Sequence, residues 1–363
     1  MPKEALSRHT ASRNLLLAVV AIALILIFIV YRTQGASFRL SLFWSTLDRV
    51  EGRWLATSIC LILLSNLARA LRWQVMLRPF RKTLTVWRLT SDTAIGLTTV
   101  VLLGRVGEVV RPYLIAVQTG LPLASQAAAW LLERTLDLLV VLLFFGFALL
   151  WLPLHTGQFD SEIRAILAAG GYVFGATGVV CLLLLFAFRS PGRRAQRRIL
   201  SALTFLPAQR FNQAERILEA FTKGADCTRD PRSMILLLGY TALEWSVIVA
   251  SCSALLRGFP VTRQLGIMDA LVLLGFGSFG SVVQVPGVGG GMQVATVVAL
   301  TKIYGLPFEA ASGVAILFWI VSSLAIVPFG LACAFHEGLN WSKLKLLSAK
   351  QILEEPPSQE PPK

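Results

Sequence analysis

Arg105, Glu108 and Arg111 stand three residues apart in "LLGRVGEVVRPYL", a stretch that is otherwise apolar. On a helix that spacing sets them in one slanted stripe, where Glu108 can pair with either arginine. The same spacing recurs in Asn66, Arg69 and Arg72 of "SNLARALRW". Glu133 and Asp137 of "WLLERTLDLL" lie four apart with Arg134 beside them, and Glu244 stands alone inside another apolar run. A guanidinium offers a planar fork of donors that matches the oxygens of a phosphate. The chemistry of this set is therefore recognition of an anion, with Glu108 and Glu244 as the acids able to couple an ion to it.

The surroundings make these charges expensive. Of 363 residues 55% are hydrophobic and only 15% are charged, and the mean hydropathy is +0.67. Apolar runs over Leu15–Tyr31, Trp54–Ala68, Leu131–Trp151, Ile166–Phe188, Met234–Leu256 and Ala310–Ala334 approach the ~20 residues that span a bilayer. The first follows Lys3, Arg8 and Arg13 and is too long for a signal peptide, so it reads as an uncleaved anchor. An ionised side chain at the bilayer centre costs about 2.5–3.5 kcal/mol on insertion scales. The eight charges other than Glu244 must therefore face one another or water. Arg69, Arg72 and Arg134, near the ends of their runs, have snorkelling to the interface as an alternative.

Several function classes drop out. Cys60, Cys181, Cys227, Cys252 and Cys333 lack metal-type spacing, and His9, His155 and His336 are scattered. No metal site and no cofactor is expected. "PGVGGG" lacks the lysine and Ser/Thr of a phosphate-binding nucleotide loop. The net charge of +14 lies between the apolar runs, which fits the positive-inside bias rather than nucleic-acid binding.

Two further apolar segments, Leu89–Leu103 and Leu271–Val285, each run into a glycine-rich break and then a second short apolar helix. If each is a hairpin over 89–118 and 271–304, the loop 189–232 with its ten Lys and Arg lies on the same side as the amino terminus. If Leu89–Leu103 instead crossed alone, that loop would land outside and the orientation rule would fail. The prediction is an all-α polytopic membrane protein with about six full crossings and two re-entrant helical hairpins, eight hydrophobic segments in all. Its parts are a cytoplasmic amino terminus (1–13), a transmembrane domain (14–335) and a partly disordered cytoplasmic tail (336–363). The breaks resemble each other, "VVLLGRVGE" against "VVQVPGVGG", and each is followed by "GLP". Repeat halves over about 54–151 and 232–335 enter from opposite faces, the inverted arrangement of transporters. Gly104 and Gly107 then form one re-entrant loop, and Pro286, Gly287, Gly289, Gly290 and Gly291 the other.

At these residues the chain resembles the transmembrane, flippase-like region of the lysylphosphatidylglycerol synthase family, through "RALRW", "GRVGEVVR", "ERTLD" and "PGVGGG". The resemblance spans about Trp54 to Ala334 and implies a bacterial inner-membrane protein that moves a lipid between leaflets. The chain ends soon after its last crossing, so aminoacyl transfer is not carried over. Gln293 stands where the family usually has a glutamate. The implied activity is translocation of an anionic phospholipid or a polyprenyl-type phosphate, with the headgroup held by Arg105, Glu108, Arg111, Arg69, Arg72, Glu133, Arg134 and Asp137. Two alternatives stay open at this point: a membrane-embedded transferase acting on a lipid-linked substrate, and an accessory subunit of a lipid-modifying enzyme. Membrane lipids are the expected partners, with a second copy of the chain or a lipid-modifying enzyme as further ones.

Overall fold

The computed structural model describes residues 38–155, 161–187 and 230–338, with the isolated positions Glu215 and Cys227. The Leu15–Tyr31 crossing, most of the basic loop and the tail from residue 339 lie outside the described residues. Within them the chain forms α1 (Leu40–Asp48), α2 (Gly52–Leu77), α3 (Val86–Leu103), α4 (Val110–Thr119), α5 (Leu123–His155) and α6 (Ser161–Ala187). There follow α7 (Pro231–Gly258), α8 (Ile267–Gly280), α9 (Gly291–Lys302), α10 (Phe308–Ser322) and α11 (Val327–His336). It is an all-α polytopic membrane protein.

Among the described residues five segments are long and apolar enough to cross a bilayer: Gly52–Phe80, Val86–Thr119, Leu123–Leu152, Pro231–Gly258 and Phe308–His336. Leu167–Leu183 in α6 is a shorter apolar stretch. The segment Val86–Thr119 meets the length criterion yet does not run straight. At Gly104 the backbone takes φ +73°, a left-handed value that favours glycine, and a 3-10 turn over Gly104–Val109 reverses the chain. The arms then run antiparallel. Thr99 Oγ1 donates to the Gly107 carbonyl at 3.2 Å, and Gln118 Nε2 donates to Asp92 Oδ1 at 2.8 Å. Between these contacts Gly96 makes room for the Cβ of Arg111.

The second hairpin repeats the device. Helices α8 and α9 meet backbone to backbone at Gly280 and Gly291, and two short antiparallel strands, β1 (Gln284–Val285) and β2 (Gly289–Gly290), close its tip. Gln293 ties that tip together: its Oε1 accepts from the Gly290 N–H at 2.6 Å and its Nε2 donates to the Val288 carbonyl at 3.0 Å. A carboxylate could make only the first of these bonds.

The two halves run in opposite directions. Helices α2 and α7 pack antiparallel, with the Glu51 N–H on the Gly258 carbonyl at 2.9 Å. Ser58 Oγ donates to the Ser251 carbonyl at 2.7 Å and Ser251 Oγ returns the bond to the Ser58 carbonyl at 2.8 Å. Each hairpin then leans on the last helix of the other half. Gly330 of α11 admits Ala94 and Thr98 of α3, and Gly275 of α8 admits the ring of Phe145 of α5. Packing of α6 on α5 uses Gly171 against Leu150 and Gly178 against Leu143, as small residues do where helices approach closely without water to drive them together. The α7 amino terminus is set by Asp230, which accepts from the Arg232 and Ser233 N–H groups, with Pro231 at the first helical position. The Ser233 hydroxyl and N–H hold the Asp230 carboxyl below its ordinary range.

A Cβ at Gly107 would run into the Thr99 carbonyl and the Val100 nitrogen, main-chain atoms that cannot swing aside, whereas one at Gly239, inside α7, meets nothing within 4 Å. Gly107→Ala should destabilise by about 1–3 kcal/mol or more through overpacking. Gly239→Ala should stabilise by about 0.5–1 kcal/mol. Thermal unfolding of the purified protein, followed by tryptophan fluorescence, checks both; a Gly107→Ala melt at the wild-type temperature would contradict the hairpin geometry.

Candidate functional site

Four helices converge on one buried cluster of charges. Helix α2 supplies Arg69, Arg72 and Trp73, α4 supplies Arg111, α5 supplies Glu133, Arg134 and Asp137, and α7 supplies Thr241 and Glu244. Arg72 has no exposed surface. Its Nη1 meets Asp137 Oδ1 at 2.7 Å and Thr241 Oγ1 at 3.1 Å; its Nη2 meets Glu133 Oε1 at 2.8 Å and Glu244 Oε2 at 3.0 Å. The planar fork explains why one side chain serves two helices at once.

Glu133 is the second node. Besides Arg72 it accepts from Trp73 Nε1 at 2.6 Å and from Arg111 Nη1 at 3.0 and 3.1 Å. The Arg111 guanidinium also lies over the Trp73 ring, 4.8 Å from its centre, and its Nη2 reaches the Arg69 carbonyl at 3.4 Å. This stack adds cation–π attraction in a dry site. Glu244 is fully buried and faces Arg69 Nε at 2.6 Å, close in distance although neither of its oxygens receives an aligned hydrogen bond. It sits about 20 Å along α7 from Pro231 at 1.5 Å per residue, beyond the reach of a snorkelling side chain. Arg134 closes the outer edge on Asp137 Oδ2 at 3.0 Å, with 40% of its side chain exposed.

The balance of the cluster is uneven. Arg69, Arg72, Arg111 and Arg134 face Glu133, Asp137 and Glu244, which leaves one positive charge in surplus. Each of the four meets a carboxylate, so the surplus belongs to the cluster as a whole, and Arg134, with 40% of its side chain exposed, is the member an outside anion reaches most easily.

Arg105 and Glu108 stand apart from this cluster. The expected single stripe with Arg111 does not form, because residues 104–109 wind as a 3-10 turn before α4 begins, and the change of pitch aims Arg111 inward at Glu133. Among the described residues Glu108 pairs only with Arg105, at 3.7 Å. Asn66 bonds back to the carbonyls of Ile62 and Leu63 and joins neither group.

Both glycine-rich loops come together at the hairpin tips. The Gly287 N–H donates to the Val101 carbonyl at 2.8 Å, Gly104 abuts Pro286, and Arg105 Nη2 donates to the Val282 carbonyl at 3.2 Å. Arg105 nonetheless keeps 60% of its side chain exposed, and around it Val106, Val109, Val282, Val283 and Val288 are exposed as well.

Three participants escaped the sequence reading. Trp73 and Thr241 belong to the cluster, and Asp92 on α3 is fully buried against Gln118 on α4. The signal for Asp92 was present in "TSDTAIGL", an acid early in a segment read as apolar.

The family profile described as "Lysylphosphatidylglycerol synthase TM region" matches residues 15–330. Comparison with curated proteins and with solved structures returns no match.

Breaking a buried ion pair by removing one partner costs about 3–5 kcal/mol because a charge is left uncompensated. Exposed pairs contribute about 0–1 kcal/mol. Arg72→Met should therefore lower stability by several kcal/mol, while Arg134→Ala should cost less than about 1 kcal/mol. Equal melting temperatures for the two variants, in detergent or in lipid discs, would contradict the placement of Arg72 at the hub.

Proposed function

Because the chain belongs to the lysylphosphatidylglycerol synthase transmembrane-region family, matched over residues 15–330, we propose that it binds an anionic lipid or lipid-linked phosphate and moves the headgroup between the leaflets of the bacterial inner membrane. The observation that carries this reading is Arg105 at the meeting of the two hairpin tips. It is an exposed cation held by one carbonyl at 3.2 Å and a loose carboxylate at 3.7 Å, ringed by exposed valines. A guanidinium with unused donors suits a phosphate, and the valines suit the first methylenes of acyl or prenyl chains. Non-helical backbone at membrane depth is tolerated where it lines a cavity or is buried in protein, which is the situation of a transport path rather than of a lipid-facing wall.

The surplus positive charge of the neighbouring cluster supports the same reading, since an anion at its outer edge would neutralise it. Arg69 and Arg134 form that edge and Arg105 the tip. Arg72, Glu133, Arg111 and Asp137 hold the edge in place; they are framework in this reading, and the headgroup meets the outer arginines. Glu108 keeps Arg105 oriented. The tips are tied to each other by few bonds, so they are the part able to separate and admit a headgroup.

The test is leaflet exchange of a labelled anionic lipid by the purified full chain in vesicles, with a zwitterionic lipid as control. Arg105→Ala should slow anionic exchange at least about tenfold, the factor expected when a charged hydrogen bond of about 1.5–3 kcal/mol is lost. Arg105→Lys should recover only part of it, since an ammonium lacks the fork. Wild-type exchange in Arg105→Ala at equal folded protein would refute the headgroup assignment.

A further inference from the structure

Asp92 is the buried acid that the arginine cluster does not use. Its side chain has no exposed surface, it lies about 9 Å along α3 from Val86 at 1.5 Å per residue, and among the described residues no cation pairs with it. The charged groups that act on it are Glu337, just past α11, Arg88 on α3 itself and Arg111 on α4. Each is committed elsewhere: Arg88 to Glu337 at 3.1 Å and Arg111 to Glu133 at 3.0 Å. Helix α2, also packed on α3, offers Arg69 and Arg72, which are turned to Glu244 and Glu133. An isolated carboxylate in a dry interior is too costly to stand uncompensated.

The pattern of satisfied and orphaned atoms says what compensates it. Gln118 Nε2 donates to Asp92 Oδ1 at 2.8 Å. The other atom of each group, Asp92 Oδ2 and Gln118 Oε1, is buried without a partner. Both are acceptors, so neither can serve the other. A single hydrogen on Oδ2 removes both deficits, because a carboxylic acid and a primary amide pair through two bonds in a closed ring: N–H to C=O on one side, O–H to C=O on the other.

We infer that Asp92 and Gln118 form a proton-binding site at the base of the first hairpin, and that the proton carried there is the ion whose gradient drives lipid movement. The second half of this inference rests on the transport reading above; the first half does not. The step is a proton transfer alone. Oδ2 takes H+ from hydronium, an O–H bond forms, water is left, and release reverses it. Towards the surface, Arg88 pairs with Glu337 at 3.1 Å and the Ser91 hydroxyl donates to Glu337 Oε1 at 2.7 Å. With the proton in place, two bonds pin α3 to α4. Without it, two buried acceptors are left without hydrogen-bond partners and the base of the hairpin opens to water. Gly96, one turn beyond Asp92, seats the Cβ of Arg111. Opening at the base therefore moves the arginine that joins the hairpin to the charged cluster.

The experiment has two arms on the full chain in lipid. In the first, infrared difference spectra between acid and alkaline buffer should show the carbonyl band of a protonated, unhydrated carboxyl group. Asp92→Asn, which copies the neutral shape, should lose the band, and Gln118→Leu should keep it but shift it. No band in the wild type, a band that persists in Asp92→Asn, or a band abolished by sodium at constant pH would overturn the proton site, the last by showing a metal cation in its place. In the second arm, vesicles with a pH gradient of one unit are brought to steady state with a labelled anionic lipid. Coupling of one proton per lipid predicts a leaflet ratio approaching about tenfold, against unity in Asp92→Asn. Exchange that proceeds to unity in the wild type overturns the coupling. Absence of any exchange rejects the transport reading, while the infrared arm still decides the proton site.

Discussion

A bilayer interior offers no water to a charge, so every ionised side chain there must be met by another group of the protein, and the position of Arg72 follows from that constraint. Its guanidinium joins carboxylates from α5 and α7 to α2, and through Glu133 it reaches Arg111 on α4. Such pairs add little net stability over an apolar core of equal volume. What they impose is registry: the helices that carry Arg72, Glu133, Glu244 and Arg111 have one mutual arrangement in which all four are compensated. The amino-terminal hairpin is thereby anchored through Arg111, two residues past the 3-10 turn at its tip.

The elements packed around α2 and those packed around α7 differ in chemistry. Along the antiparallel α2 and α7 pair, one end carries the Arg69, Arg72 and Glu244 contacts and the other the reciprocal hydroxyls of Ser58 and Ser251. The charged end belongs to the first hairpin. The second hairpin is held by apolar packing of Leu273, Leu300, Val314 and Phe318 and by the amide of Gln293. A glutamine there satisfies the tip without introducing charge. Between the two, among the described residues, the tips meet through one main-chain bond, one arginine bond and the contact of Gly104 with Pro286, far less than binds either hairpin to its own half. A joint of that kind can open without disturbing the charged framework, which is the property that moving a headgroup demands.

Much of this was legible in the sequence because membrane constraints are severe. The glycine-rich breaks, the distribution of Lys and Arg and the apolar lengths sufficed to read two hairpins that fold back, and Gly104 and Pro286 do meet at their tips. The convergence of Arg69, Arg72, Arg111, Glu133, Arg134 and Asp137 followed from the cost of leaving any of them alone. Pairing was not legible. Helical spacing linked Glu108 to Arg111, but Glu108 belongs to a 3-10 turn that ends before Arg111, and nothing in "GRVGEVVR" signals that change of pitch. Depth was also ambiguous near the ends of runs: Arg134 is partly exposed as a snorkelling residue would be, whereas Arg72, close to the end of α2, is fully buried. Asp92 was passed over because one acid in a mostly apolar segment is not conspicuous until its missing partner is seen.

The central claim is that lipid passes where the two tips separate. A reducible crosslink between the tips tests it directly, with cysteines replacing Leu103 and Val288 and a short bifunctional thiol reagent joining them, after the native cysteines have been substituted. Leaflet exchange of the anionic lipid should fall to the level of empty vesicles in the crosslinked protein and return when the link is reduced. Undiminished exchange with the tips covalently joined would contradict the account.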